Sequence, residues 1–221
     1  MFICLGDHSG GNVKFKETYP ELEVVATKYE AIPGATRLVG EGNRFELGSL
    51  TINVIYTPCH TRGHVIFIVT GPSGAPILFT GMLVSCTSII TLYYNDTCYA
   101  IGDTLFVGGC GRFFEGTASE MLTNMDRLAA LPSESLVYCA HEYTASNYKF
   151  LASVDPDTCL ARYEEIQKTR SLDQPTVPSS IEAELSSNLF MQCRSPRLQA
   201  LVGAGSAEEA MANLRNMKNN F

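Results

Sequence analysis

Apolar and polar positions alternate through Phe45-Glu-Leu and again through Leu50-Thr-Ile-Asn-Val-Ile-Tyr56, with Gly48-Ser49 between the two runs. Period-two alternation on either side of a small-residue pair predicts a β-hairpin. HVIFIVT and PILFTG flank the turn GPSG in the same way, and LEVVAT at 22–27 is a further strand candidate. LFVGG and LVYCAH add two short strands, separated by a helix over about Ser119–Leu131 that opens on the capping box Thr117-Ala-Ser-Glu120. Strand, helix and strand in succession point to a layered α/β domain. From Thr144 the period turns helical: TASNYKFLASV, DTCLARYEEIQKTRS, the connector DQPTVPSS, and AEEAMANLRNMKN behind a second capping box, Ser206-Ala-Glu-Glu209. Met211 and Leu214 of the last helix belong to its core face, and Arg215 and Lys218, three apart, share another. The expected organisation is an α/β domain over 1–153 and a small helical domain over 154–221.

Composition narrows the classes of function. With 221 residues, 45% hydrophobic and 18% charged, the chain can bury a sizeable core. A net charge of -7 with scattered Lys and Arg offers no footprint for nucleic acid. No apolar run reaches the roughly 18 residues of a membrane span, and MFICLG lacks the charged and apolar regions of a signal peptide. The expectation is a monomer with no membrane partner, located in the cytoplasm, a mitochondrial location being left open. The eight cysteines form no CxxC pair and read as reduced, mostly buried thiols. Cys59 and Cys110 stand beside candidate ligands but are left out of the site.

Candidate chemistry is dispersed over four segments, GDHSGG, TPCHTRGH, IGDTLFVGGC and AHEYT. Asp7 and His8 precede Ser-Gly-Gly-Asn, a pattern suited to a strand end turning into a helix, where both side chains can meet one cation. His60 follows a strand on a loop shaped by Pro58 and Gly63 and is a candidate ligand, whereas His64 is read as a hydrogen-bonded supporting residue. Asp103 precedes an apolar run, where a carboxylate can bridge two cations roughly 3.5 to 4 Å apart. His141 ends a strand, so its ring emerges beside any site formed there. Imidazole and carboxylate donors of this kind hold Zn, Fe or Mn and leave a position open for water. Five ligands, Asp7, His8, His60, Asp103 and His141, fill one metal shell and leave a second short.

Taken in order, DHSGGN, TPCHTRGH, GDTLFVGGCGRFFEGT, HEYT and the closing RNMK resemble glyoxalase II, the hydroxyacylglutathione hydrolase branch of the metallo-β-lactamase superfamily. The resemblance implies an αββα sandwich, here incomplete, followed by an α-helical C-terminal domain that helps to bind glutathione. It implies hydrolysis of S-(2-hydroxyacyl)glutathione to glutathione and a 2-hydroxy acid by metal-bound hydroxide, with zinc as the metal, two per chain in the family, and iron or manganese as substitutes. In the family's pattern Asp7, His8 and His141 match ligands of one metal, Asp103 the bridging carboxylate and His60 a ligand of the other. Arg112, Tyr143, Arg215 and Lys218 match the positions that hold the glutathione part. Asp103 and Asp7 are the residues expected at the reacting centre. A one-iron persulfide dioxygenase shares the superfamily core, and the RNMK tail argues against it.

The chain departs from that pattern in three places. The family's ligand motif His-x-His-x-Asp-His falls here on Ile3-Cys4-Leu5-Gly6-Asp7-His8, without the first two histidines. Met82 to Gly102 separates Phe79-Thr80-Gly81 from Asp103, where the family reads FTGDTLF unbroken. Phe114 stands where the family usually has a tyrosine that bonds the glutathione backbone. Gly-Met can be encoded GGTATG and Ile-Gly ATAGGT, codons that would give GT and AG boundaries, so the hypothesis is that the insertion is translated intron and that MFICLG is likewise intron running into an exon near Asp7. The expectation is therefore a truncated chain with an insertion and one metal rather than two, impaired as a hydrolase. The alternatives are a non-catalytic glutathione-conjugate binder and an inactive truncated or mis-spliced product.

Overall fold

Where alternation is strictest, sheet forms. The computed structural model describes residues 9–71, 77–79 and 103–221. Asp7 and His8, the frame Ile3–Gly6, most of the GPSG turn and Met82 to Gly102 lie outside the described residues.

A six-stranded sheet runs in the order β10-β9-β6-β5-β4-β3. Its centre is β4 (Leu50–Tyr56) against β5 (Val65–Thr70), antiparallel with Val54 opposite Phe67. The predicted hairpin places β3 (Arg44–Leu47) beside β4, and Gly48, at φ +61°, takes the left-handed backbone that its turn requires. On the other side β6 (Ile77–Phe79) pairs with β5, β9 (Leu136–Tyr138) runs parallel to β6, and β10 (Ser179–Ser180) closes the edge. LEVVAT yields only Val25–Thr27 as β1, parallel to β2 (Arg37–Val39).

Both faces of the sheet are covered, which is why β5 reads as a continuous apolar run rather than an alternating one. Phe45, Ile52, Val54, Val65, Phe67 and Val69 pack with Val25 and Val39 on one side. Ile66 and Val137 face the other way, into a larger cluster that runs from Cys59 to Leu214 and includes the C-terminal helices. One core therefore spans the expected boundary near Val154.

The helix predicted behind Thr117 is observed. Helix α1 (Asn12–Thr18) follows the turn at Gly10-Gly11, and α2 (Ala118–Ala129) carries the full capping box. Then come α3 (Thr144–Val154), α4 (Pro156–Ser171), α5 (Ile181–Ser187), a 3-10 turn (Leu189–Gln192), α6 (Pro196–Leu201) and α7 (Ala207–Asn219). At α7 the second capping box is altered: Ser206 caps Glu209 N, but the Glu209 carboxylate accepts from Gly205 N instead of the N-cap amide. Met211 and Leu214 are fully buried.

LFVGG is a correction to the expected single strand. Leu105–Phe106 (β7) folds back on Gly109–Cys110 (β8) through a tight turn at Gly108, whose φ is +68°. A Cβ at Gly108 would also lie 2.4 Å from the Tyr148 ring, so conformation and space both demand glycine there. This hairpin is fastened from behind by buried polar side chains. Glu184 Oε2 accepts from Gly108 N at 2.9 Å and from Asn188 Nδ2 at 2.9 Å, and Oε1 accepts from Ser179 Oγ at 2.6 Å. Asn188 also donates to the Phe106 and Gly109 carbonyls, and Asn147 to that of Val107.

Candidate active site

The chain leaves β4 at Tyr56 and enters a closed loop, in which Thr57 N donates to the His64 carbonyl at 2.9 Å and Cys59 N to that of Thr61 at 3.1 Å. Thr57 Oγ1 meets Thr104 Oγ1 at 3.0 Å, and Asp103 N donates to His64 Nε2 at 3.2 Å. The loop that carries His60 and the segment that carries Asp103 are thus stitched together, with His64 as a supporting hydrogen-bond acceptor. Gly111 allows the close approach: a Cβ there would fall 2.0 Å from the Asp103 carbonyl oxygen and 2.9 Å from His60 Nδ1.

His60 and Asp103 are 6% and 4% exposed, in contact at 3.1 Å between Nε2 and Oδ2. The other oxygen of Asp103, Oδ1, lies 3.6 Å from His141 Nε2. The tautomer of His60 follows from its second nitrogen. Nδ1 is 3.0 Å from the Arg112 carbonyl, which can only accept, so Nδ1 bears the proton and Nε2 of a neutral ring presents a lone pair. A lone pair facing a carboxylate oxygen at this distance is repulsive unless a cation, a proton or a metal ion, stands between them. His60 Nε2 accordingly has no hydrogen-bond partner despite its burial. The donor chemistry of His60, Asp103 and His141 suits a metal ion, but among the described residues no group of three or more His, Cys, Asp or Glu is arranged to hold one. Further donors have to come from elsewhere in the chain, and Asp7 and His8 lie outside the described residues.

Aromatic rings border these side chains. Tyr143 stacks on His141 with centroids 4.8 Å apart, Phe106 stands 5.4 Å from Tyr143, and Phe114 lies 5.0 Å from His60. Burial pushes the Cys59 and Cys110 thiols up to about 12, so both are neutral, and the Cys59 thiol donates to the Thr117 carbonyl.

His60, Asp103 and His141 line a cleft of about 780 Å³ that also takes in Arg112, Tyr143, Arg215 and Lys218. All seven described residues expected at the site therefore meet in one place. The cleft adds residues that sequence reasoning missed, among them Phe106, Ser146, Asn147, Lys149, Asn219 and Phe221. The spacing of Ser146 and Lys149 on α3 was the available signal, and it is no stronger than that of any exposed helix face. Among the described lining residues four side chains are cationic and Asp103 is the one acidic side chain, a local reversal in a chain of net charge -7.

Arg215 is 6% exposed. Its Nη1 donates to the Cys110 carbonyl at 2.9 Å, its guanidinium lies 5.5 Å from the Phe190 ring, and its Nε has no partner. Desolvation pushes its pKa down. A buried cation without a carboxylate is costly by itself and is relieved by an anionic ligand. Lys218 Nζ donates to the Ser146 carbonyl at 2.8 Å, and burial, followed by the charge of Arg215, lowers its pKa to about 8.

The fold is that of the metallo-β-lactamases. The structure superposes on a metallo-β-lactamase from Staphylococcus aureus with a TM-score of 0.54 at 14% identity, covering 94% of this chain and 52% of that one. It superposes on ETHE1 from Myxococcus xanthus with a TM-score of 0.56 at 22% identity, covering 96% of this chain and 64% of that one. The family model described as hydroxyacylglutathione hydrolase C-terminus matches residues 142–221. The cytoplasmic hydroxyacylglutathione hydrolase of Arabidopsis thaliana is 37% identical over 220 residues, which cover 97% of this chain and 77% of that protein. The hydroxyacylglutathione hydrolase of Synechococcus is 36% identical over 225 residues, 98% and 78% of the two chains. This chain belongs to the hydroxyacylglutathione hydrolase family.

Proposed function

We propose that this chain is a thioester hydrolase of the glyoxalase II type, converting S-(2-hydroxyacyl)glutathione and water to glutathione and a 2-hydroxy acid. The observation that carries the reading is the make-up of one cleft. His60, Asp103 and His141 share its lining with Arg112, Arg215 and Lys218, which puts donors suited to a metal at a reacting carbonyl in the same cleft as cations suited to a ligand's carboxylates.

Asp103 and His141, joined by Asp7 and His8 from the motif, would hold one metal, and His60, in contact with Asp103, would serve the second position. When bound, zinc, or iron or manganese in its place, supplies a Lewis acid for the thioester carbonyl and lowers the pKa of water. Asp103 fixes the spacing of the two imidazoles, and the Arg112 carbonyl keeps His60 in its Nδ1–H tautomer. Arg112, Arg215 and Lys218 hold the glutathione carboxylates. Tyr143 holds the His141 ring by stacking and presents its hydroxyl to the peptide part of the ligand. Phe106, Phe114 and Tyr143 restrict water around the reacting carbonyl. The departing sulfur needs no strong acid, because a thiol with a pKa near 8.5 leaves readily as thiolate. We place the carboxylate-binding cations mainly in a helical domain over 154–221 and read the chain as a cytoplasmic monomer; among the described residues no helix is long and apolar enough to cross a membrane.

Purified chain is expected to release thiol from an S-(2-hydroxyacyl)glutathione, and to bind S-methylglutathione without turnover. Binding without any release of thiol in metal-supplemented buffer would identify a non-catalytic binder instead. With Ile3 and Leu5 in the motif frame, metal analysis after zinc loading and desalting is expected to give one metal per chain; two per chain would sink that proposal.

The lowered pKa of Lys218 sets a pH window. The folded value lies below the ordinary lysine range, so the ammonium that attracts a carboxylate is present below about pH 8 and is lost as pH rises through it. The dissociation constant of S-methylglutathione is therefore expected to rise several-fold between pH 7 and 9.5, and Lys218→Met to weaken binding at pH 7 while flattening the profile. Calorimetric titration across that range checks both.

A further inference from the structure

Every arginine outside the cleft forms an ion pair with a carboxylate, from Arg37 with Glu23 to Arg197 with Asp155. Arg112 and Arg215, inside it, form none among the described residues, and Asp103, the one acidic side chain there, is in contact with His60 and His141. The cleft thus keeps carboxylates away from its cations, which leaves them for an anionic ligand. The family pattern matches Arg112, Arg215 and Lys218 to that task. Lys149, the fourth cation, stands outside those matches.

Lys149 is exposed on α3, and its position in the helix places it about 7.5 Å along the axis from Thr144, the end that follows His141 and Tyr143. It makes no hydrogen bond or ion pair among the described residues. Its Nζ lies 5.8 Å from the Phe221 ring, and Lys218 Nζ lies 5.8 Å from the same ring. Lys218 Nζ is in turn held by the carbonyl of Ser146, one turn before Lys149. Two ammonium groups thus flank one aromatic ring over a single turn of helix. The ring attracts each of them weakly and neutralises neither, whereas a carboxylate does. We propose that Lys149 is a further substrate-binding residue, which together with Lys218 takes one of the carboxylates of the glutathione arm. The inference rests on the glutathione-thioester reading and goes beyond it by adding a residue and the group it holds. A cation more than a turn along α3 from His141 suits the peptide part of a conjugate whose carbonyl is at Asp103.

Binding tests it without turnover. Lys149→Met is expected to weaken S-methylglutathione about fivefold in calorimetric titration at low salt, and Lys149→Arg to stay within about twofold of the parent. Lys149 is exposed, so neither change endangers folding. Two edited probes identify the carboxylate: S-methylglutathione with its glycine carboxylate converted to a carboxamide, and S-methylglutathione with 4-aminobutanoyl in place of the γ-glutamyl group. Against the probe that lacks the group held by Lys149, Lys149→Met is expected to cost nothing further, and against the other the loss stays about fivefold. In turnover the loss is expected in KM rather than in kcat. Unchanged affinity of Lys149→Met for S-methylglutathione, or a loss that persists in full against both edited probes, would overturn the role of Lys149 while leaving the glutathione reading standing. Failure of the parent chain to bind S-methylglutathione would overturn the glutathione reading and the role of Lys149 with it.

Discussion

Asp103→Asn is expected to lower kcat/KM for an S-(2-hydroxyacyl)glutathione by about a thousandfold or more, and to leave the affinity for S-methylglutathione within about threefold, a change under ~1 kcal/mol. The substitution keeps shape and removes charge. Asp103 is the one acidic side chain among the described residues of the cleft, placed between two imidazole nitrogens, so without its charge the two histidines lose the anion that helps them hold a cation. The same change is expected to leave thermal stability unharmed. An asparagine amide can donate to the lone pair on His60 Nε2, converting a repulsive contact into a hydrogen bond. Thiol release, thioether calorimetry and a melting curve on one variant separate the two roles. A kcat/KM within tenfold of the parent's would remove Asp103 from the reacting centre.

Glu184→Ala is expected to cost about 3 to 5 kcal/mol of stability, whereas Glu184→Gln is expected to change it by under about 1 kcal/mol. Glu184 is fully buried, and desolvation raises its pKa despite hydrogen bonds from Ser179, Gly108 and Asn188. Two of those partners, the Gly108 amide and the Asn188 amide, can only donate, and both donate to Oε2. The third, Ser179 Oγ, can donate or accept. A neutral side chain with one acceptor facing the amides and one donor facing Ser179 satisfies all three, and glutamine provides that. Alanine strands the buried Gly108 N–H, takes one of three acceptors from the Asn188 amide and opens a cavity. Urea unfolding of both variants decides the matter. Equal losses would show that the charge of Glu184, rather than its hydrogen-bond pattern, is what the fold requires.

What the sequence revealed depended on how local each signal was. The β3–β4 hairpin, the Thr117 capping box and the face of α7 that holds Met211 and Leu214 are written in neighbouring residues, and the structure follows them. LFVGG misled because a two-residue strand, a glycine turn and another two-residue strand contain too few positions to show a period. The buried network of Glu184, Asn188 and Asn147 was invisible for a different reason. Its partners are backbone groups as many as 82 residues away, and nothing near Glu184 in sequence marks it as buried. The candidate site was legible through its motifs, which named His60, Asp103, His141, Arg112, Tyr143, Arg215 and Lys218 before any geometry was known. Arg215 on spacing alone looks like part of a solvated helix face, yet it is buried against Cys110 and Phe190.

The β7–β8 hairpin lines part of the cleft through Phe106 and Cys110, but the atoms that hold its shape come from Asn147, Glu184 and Asn188, all on later helices or beside them. Inheritance should therefore couple these distant stretches. A change in the hairpin backbone is tolerated only together with a matching change in those three side chains. In chimeras between relatives, the transferable unit is the hairpin with its clasp, and a crossover placed between them separates a cleft lining from its fastening.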